Sequence, residues 1–282
     1  MKKRFTIPLI LCLFLFPSIV NGQAPKKTTP PTQKMLFDKF FALDDGDTTE
    51  LRIKAGMMLT ILKMDDTSKY AKYMRVYVGM IDKKDIDGTL LVAEQMVNKY
   101  PDFAEGYFIY GQILDMANKS GAIEQIHRCI ELNPKLVQPY YLLANKYTDA
   151  DNYKVSLFYY DQLEKVYPKH GSLYYNRGCT KDKLNDVPGA IADYSKCIVA
   201  QPKHAKAIFN RGRDYSMSKD WAKAEADFNV FVTLMPSYGT AYYYRGGAKY
   251  NQGRTSEGCD DWRLGKMIGD QSCIKALESY CK

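Results

Sequence analysis

Three arginines, Arg177, Arg211 and Arg245, stand 34 residues apart, and an aspartate follows each of them sixteen residues later: Asp193, Asp227 and Asp261. A guanidinium and a carboxylate can meet as a forked, doubly hydrogen-bonded pair. One reading is a row of arginines that bind a ligand. The other is an ion pair that fixes the register of two helices, and the sequence favours it. Arg and Asp occur together or not at all: the two preceding segments carry Tyr110 and Leu143 at the Arg place, and Gln125 and Tyr159 at the Asp place.

Cysteines are the second set. Cys129, Cys179, Cys197, Cys259, Cys273 and Cys281 lie beyond the N-terminal segment. Gly269-Asp270 reads as a turn between two helices, and facing residues of an antiparallel hairpin share a constant index sum. On that rule Cys259 faces Cys281, and a disulfide between them is expected; the alternative is that these thiols are reduced and buried. Cys129 and Cys197 read as small apolar fillers, and Cys179 as a free thiol.

Catalytic and metal-binding patterns are missing. His127, His170 and His204 have no ligand spacing around them. Asp85-Ile86-Asp87-Gly88 with Glu94 has part of a calcium-loop pattern, but Lys83 occupies the first ligand place and would repel a cation. No Ser-His-Asp set, phosphate loop or nucleophile elbow occurs. The expectation is a protein that is not an enzyme and uses no cofactor and no metal.

What must position these residues is a repeat. Pro101, Pro134, Pro168, Pro202 and Pro236 recur at intervals of 33 or 34, each closing an apolar, helix-like run. Counting 34 places per unit, with Ala104, Val137, Gly171, Ala205 and Gly239 at place 1, a Gly or Ala falls at place 8 (Gly111, Ala144, Gly178, Gly212, Gly246). A small residue falls at place 20 and large ones at places 4 and 24. Places 4, 8 and 11 share one helix face; places 20, 24 and 27 share another. Small residues at 8 and 20 let the two helices approach. One such hairpin cannot bury both its faces, so neighbours must stack. The Arg and Asp places become 7 and 23, one on each helix. Place 5 is aromatic throughout: Phe108, Tyr141, Tyr175, Phe209 and Tyr243.

Outside the repeat, Lys2, Lys3 and Arg4 precede an apolar run from Ile7 to Val20, then Asn21-Gly22. This is the order of a cleaved export signal, 1–22, and the run is short of the roughly 20 residues a spanning helix needs. Residues 23–33 read as a flexible Pro/Lys/Thr linker, and Asp44-Asp45-Gly46-Asp47 as a helix-ending turn. The 282 residues carry 40 basic and 32 acidic side chains, interspersed, for a formal net charge of +8. Such a balance argues against nucleic-acid binding.

The large–small–aromatic first helix, the small and aromatic second helix and the closing Pro resemble the tetratricopeptide repeat (TPR) family, most strongly over 104–262. The resemblance implies an all-α fold: a right-handed superhelical solenoid of antiparallel helix pairs with a C-terminal capping helix. The expected organisation is 34–103 as atypical N-terminal hairpins, 104–268 as the repeat array and 269–282 as the cap. In the family, places 2, 5, 9 and 12 of the first helix line the concave groove. Carried over, this gives a peptide-binding set of Phe108, Tyr141, Asn145, Tyr175, Lys206, Phe209, Arg213 and Tyr243, to which the family's carboxylate-holding pattern adds Asn176 at place 6. Asn145, Asn176 and Lys206 match positions with which some members hold a carboxylate, whereas Tyr141 and Asn210 depart from that pattern. The alternative for the aromatics is packing between neighbouring repeats. The export signal and the closing Cys259-Asp260-Asp261-Trp262 segment with Tyr280-Cys281 resemble envelope TPR proteins of Gram-negative bacteria, particularly Bacteroidota. The implied function is a non-enzymatic scaffold in the periplasm or at the outer membrane that binds a protein or peptide partner and has no membrane span once the signal is cleaved. The alternatives are an accessory subunit or assembly chaperone of an envelope or secretion complex, or a self-associating structural protein.

Overall fold

The computed structural model describes residues 31–42, 48–64, 67–168 and 171–281. The export segment, linker residues 23–30, the turn at 44–47 and His170 lie outside them. Fifteen helices and no strand occur among the described residues. The chain divides into two compact units at Tyr70 and Ala71. The expected N-terminal block 34–103 is therefore split, and its second half belongs with the repeats.

The first unit holds α1 (Gln33–Ala42) and α2 (Thr48–Met64). Phe37, Phe40, Met57 and Ile61 are buried there, and Gln33 Nε2 donates to the Ile61 carbonyl at 2.8 Å.

The second unit is a stack of helix pairs. They are α3 (Lys69–Asp82) with α4 (Ile86–Lys99), α5 (Ala104–Met116) with α6 (Ala122–Leu132), and α7 (Val137–Asp149) with α8 (Tyr153–Val166). Then come α9 (Gly171–Lys183) with α10 (Val187–Ala200), α11 (Ala205–Met217) with α12 (Trp221–Leu234), α13 (Gly239–Asn251) with α14 (Thr255–Met267), and the cap α15 (Gln271–Tyr280). α4 is drawn into the stack because it buries Met96 and Val97, and the Met96 methyl reaches Gly106 of α5.

Within a pair the approach is close at place 8. A Cβ on Gly246 would lie 2.8 Å from the Gly258 carbonyl oxygen, and one on Gly258 would lie 2.7 Å from that of Gly246. No side chain larger than hydrogen fits either position without parting the helices. The five pairs from α5 to α14 turn at place 15 through a left-handed residue, Asn118 (φ 52°), Asp151 (56°), Asn185 (59°), Lys219 (60°) and Gly253 (83°), and the α3–α4 pair turns through Lys83 (54°). Asn, Asp and Gly tolerate this region, whereas Lys does not. Lys219→Gly is therefore expected to stabilise the protein by about 0.5–1 kcal/mol, read as a higher urea midpoint.

Between pairs, the place 4 tyrosines reach back one turn. Tyr140 and Tyr242 donate their hydroxyls to the carbonyls of Pro134 and Pro236, each at 3.1 Å. The repeat prolines thus end one helix and supply an acceptor to the next. Second helices are capped at their starts by Asp186 and, at the C-terminal cap, by Asp270.

Candidate functional site

The expected Arg–Asp contacts all form, with one geometry. Arg177 Nε and Nη2 donate to Asp193, both at 2.8 Å. Arg211 holds Asp227 at 2.8 and 2.7 Å, and Arg245 holds Asp261 at 2.9 and 2.5 Å. All three aspartates are buried. The arginines spend their forks inside the repeat and do not form a ligand-facing row. Arg177 is the most buried, and its Nη1 also reaches Asp161 and Glu164 at 2.7 Å. Burial opposes ionisation of Glu164, but hydrogen bonds from Arg177 and Lys196 prevail and hold its pKa low, at about 2.

Cys259 and Cys281 are joined as a disulfide with Cα atoms 5.9 Å apart. Beside it, Tyr250, Trp262 and Tyr280 stack in a triangle with centroids 5.4–5.8 Å apart. Cys273 and Ala276 are the buried residues of α15. The apolar stripe thus runs one residue earlier than Ile274, Leu277 and Tyr280, because Gly265 leaves room for the Cys273 sulfur. Cys129 and Cys197 are fully buried, and desolvation raises their thiol pKa values to about 12 and about 11.

First helices meet one another along the stack. Lys146 of α7 reaches Asp115 of α5, Asn176 of α9 reaches the Tyr141 hydroxyl of α7, and Arg213 of α11 reaches Asp182 of α9. This shared face carries the expected peptide-binding set, but the residues stand in different circumstances. Phe108 is a correction: it is 6% exposed and packs on Ala104, Cys129, Leu132, Leu136 and Leu142. It cannot present a ring to a partner. Its repeat is the one shortened by a residue, and the ring fills the space against α7.

The other members are half-buried or exposed. Tyr141 meets Tyr160 edge-on at 6.3 Å, and Tyr160 donates to Asn145 at 2.6 Å. Tyr175 lies 4.7 Å from the His204 ring and 6.1 Å from Tyr194. His204 caps α11, its Nδ1 accepting from the Ala207 amide at 3.1 Å. Phe209 packs among Phe228, Phe231, Tyr238 and Tyr244 at 5.0–5.7 Å, and Tyr243 contacts Tyr244 at 5.4 Å. The rings pack on aromatic neighbours of their own and the following helix pair and are only half-buried. Lys206 stays exposed on the first turn of α11.

Sequence reasoning missed Gly247, at place 9 of α13. A Cβ there would meet nothing within 4 Å, so no packing demand explains a helix-interior glycine. Sequence reasoning also missed Asp182 and Asp214, which the structure gathers around Arg213. The signal was a contact spacing of about one repeat, seen in Thr148 with Thr180.

Among the described residues no three His, Cys, Asp or Glu side chains gather into a group that could hold a metal ion. No described helix is long and apolar enough to cross a membrane.

No protein-family model matches this sequence, and no curated protein does. Solved structures do resemble it. YrrB, a TPR protein with an unusual peptide-binding site, superposes with a TM-score of 0.60 at 17% identity, over 66% of this chain and 97% of that one. MamA (residues 41 to the end) from Desulfovibrio magneticus RS-1 gives 0.52 at 16%, over 59% and 94%. The Cut9–Hcn1 hetero-tetramer of the APC/C gives 0.53 at 12%, over 88% of this chain and 52% of that one. At these identities the likeness speaks to fold, and the fold is that of a TPR-like helical solenoid built from antiparallel helix pairs.

Proposed function

We propose that the protein is a non-catalytic scaffold of the cell envelope, exported through residues 1–22, that binds an extended segment of a protein partner along the first-helix face of its repeats. The observation that carries this is the half-buried set of Tyr141 and Asn145 on α7, Tyr175 and Asn176 on α9, Phe209 on α11 and Tyr243 on α13. Rings fixed by packing on one side are presented at low entropic cost on the other, and such rings anchor protein interfaces. YrrB, with the same fold, has a peptide-binding site, which supports the reading by analogy. The positive start and apolar run at the N-terminus support export to the periplasm or the outer-membrane face.

Gly247 offers a clean test because a Cβ added there meets nothing within 4 Å. A random peptide library is panned on the protein, and the enriched peptides are measured against Gly247→Ala and Gly247→Trp. Gly247→Ala is expected to bind as the parent does. Gly247→Trp, with Tyr175→Ala as a second variant, is expected to lose tenfold or more in affinity, about 1.4 kcal/mol. Failure to enrich any peptide, or equal binding by both variants, overturns the reading.

A further inference from the structure

Two junctions between first helices use one recurring contact, from place 12 of one helix to place 10 of the next. Between α5 and α7 it joins Asp115 to Lys146 at 2.5 Å, and between α7 and α9 it joins Thr148 to Thr180 at 3.2 Å. Both are complementary pairs. Between α9 and α11 the same places hold Asp182 and Asp214, two carboxyl groups. Arg213 Nη2 reaches both, Asp182 Oδ2 at 2.7 Å and Asp214 Oδ1 at 3.2 Å. Asp182 also accepts from the Tyr194 hydroxyl at 2.6 Å. Asp214 is fully buried, and neither its Oδ2 nor Arg213 Nε has a hydrogen-bond partner among the described residues.

Full ionisation is costly in this place. One cation would serve two carboxylates, one carboxylate oxygen would stay bare in the interior, and like charges would face each other. A single proton on the pair relieves all three. We propose that Asp182, Asp214 and Arg213 form a proton-linked joint between α9 and α11, closed when the carboxyl pair holds a proton and loosened when both groups are ionised.

The surroundings agree. Burial and then the Asp182 charge raise the Asp214 pKa to about 7, with Arg213 opposing. From α10 comes the Tyr194 hydroxyl, whose own ionisation is pushed upward by burial and by its bonds to Asp182 and Cys179. α12 and α13 pack beneath α11 with Ala224, Phe228, Ala248 and Tyr244. A carboxyl raised in the folded state gives stability that is fully present below its unfolded pKa near 4 and is lost as pH rises through its folded value. The joint is therefore tightest in mild acid and slackens above neutrality. Because it lies on the face proposed for binding, its opening would reshape the middle of that face, but its existence does not rest on the binding reading.

Asp214→Asn is the test, since Asn keeps the acceptor for Arg213 and cannot ionise. Thermal midpoints are measured from pH 5.5 to 8. The parent is expected to fall by roughly 4–8 °C relative to the variant over this range. His204, whose pKa burial lowers, loses its contribution as pH falls, but it does so in both proteins and cancels in the difference. Independently, the Asp214 carboxyl carbon of the wild-type protein is expected to titrate near neutrality by NMR, and at lower pH once Asp182→Asn removes the facing charge. Parallel midpoint curves for parent and Asp214→Asn overturn the proposal. So does an Asp214 carboxyl that titrates near pH 4 in the wild type, a reading that stands even if the variant fails to fold.

Discussion

Arg177→Met is expected to destabilise the array by about 3 kcal/mol, more than the equivalent change at either of the other two repeat arginines. The residue is 4% exposed and gives Nε and Nη2 to Asp193, itself 1% exposed. Removing the guanidinium strands a buried carboxylate, and a stranded charge costs more than the pair gained. Lys181 remains 2.7 Å from Asp193, which keeps the loss at the lower end of the range for broken buried pairs. Arg211→Met should cost less, because Arg211 is more exposed and meets a single carboxylate. The informative variant is Arg177→Met with Asp193→Leu. If the pair acts mainly to fix register, an apolar replacement of similar bulk restores most of the lost stability in urea unfolding. A double variant as unstable as the single would mean instead that the pair contributes net stability. Acid gives a second readout of the network. Glu164 is held below its ordinary range, so its contribution is present above pH 4.5 and disappears as pH falls toward 2.

Reduction of Cys259–Cys281 comes next in size. The bond spans 22 residues of sequence, and closing a loop of that length restricts the unfolded chain by roughly 3 kcal/mol in the chain-entropy model. Cys259→Ser is expected to lose about that much. The loss should concentrate in α15, whose buried contribution is only Cys273 and Ala276. With so small a buried face, the cap depends on its covalent tie and on Tyr280 stacking against Trp262. Amide exchange in α15 should therefore rise on reduction while α9 to α12 stay protected. An unfolding midpoint indifferent to reductant would show that stacking alone holds the cap.

Much of this architecture is written locally. Spacing of the prolines sets the period, the Gly and Ala at place 8 set the closeness of each pair, and places 7 and 23 put Arg beside Asp. These relations lie within one hairpin, where helix pitch and the turn fix which residues face each other. The same reasoning pairs Cys259 with Cys281 across Gly269-Asp270. The left-handed turns at Asn118, Asp151, Asn185 and Gly253 were not read from the sequence, although those residue types favour that backbone; Lys83 and Lys219 depart from the preference.

Contacts between hairpins were decided only in three dimensions. A ring at place 5 can face the groove or the next repeat, and the choice depends on the angle at which one hairpin stacks on another. Phe108 turned inward, while Tyr141 and Tyr175 stayed half-buried. Asp182 and Asp214 are ordinary as two residues 32 apart; Arg213 brings them together only once α11 lies along α9, with Asp214 buried. Periodicity determines what each helix pair buries, but the rotation from one pair to the next, summed from many small packing contacts, determines which polar groups must share the space left over.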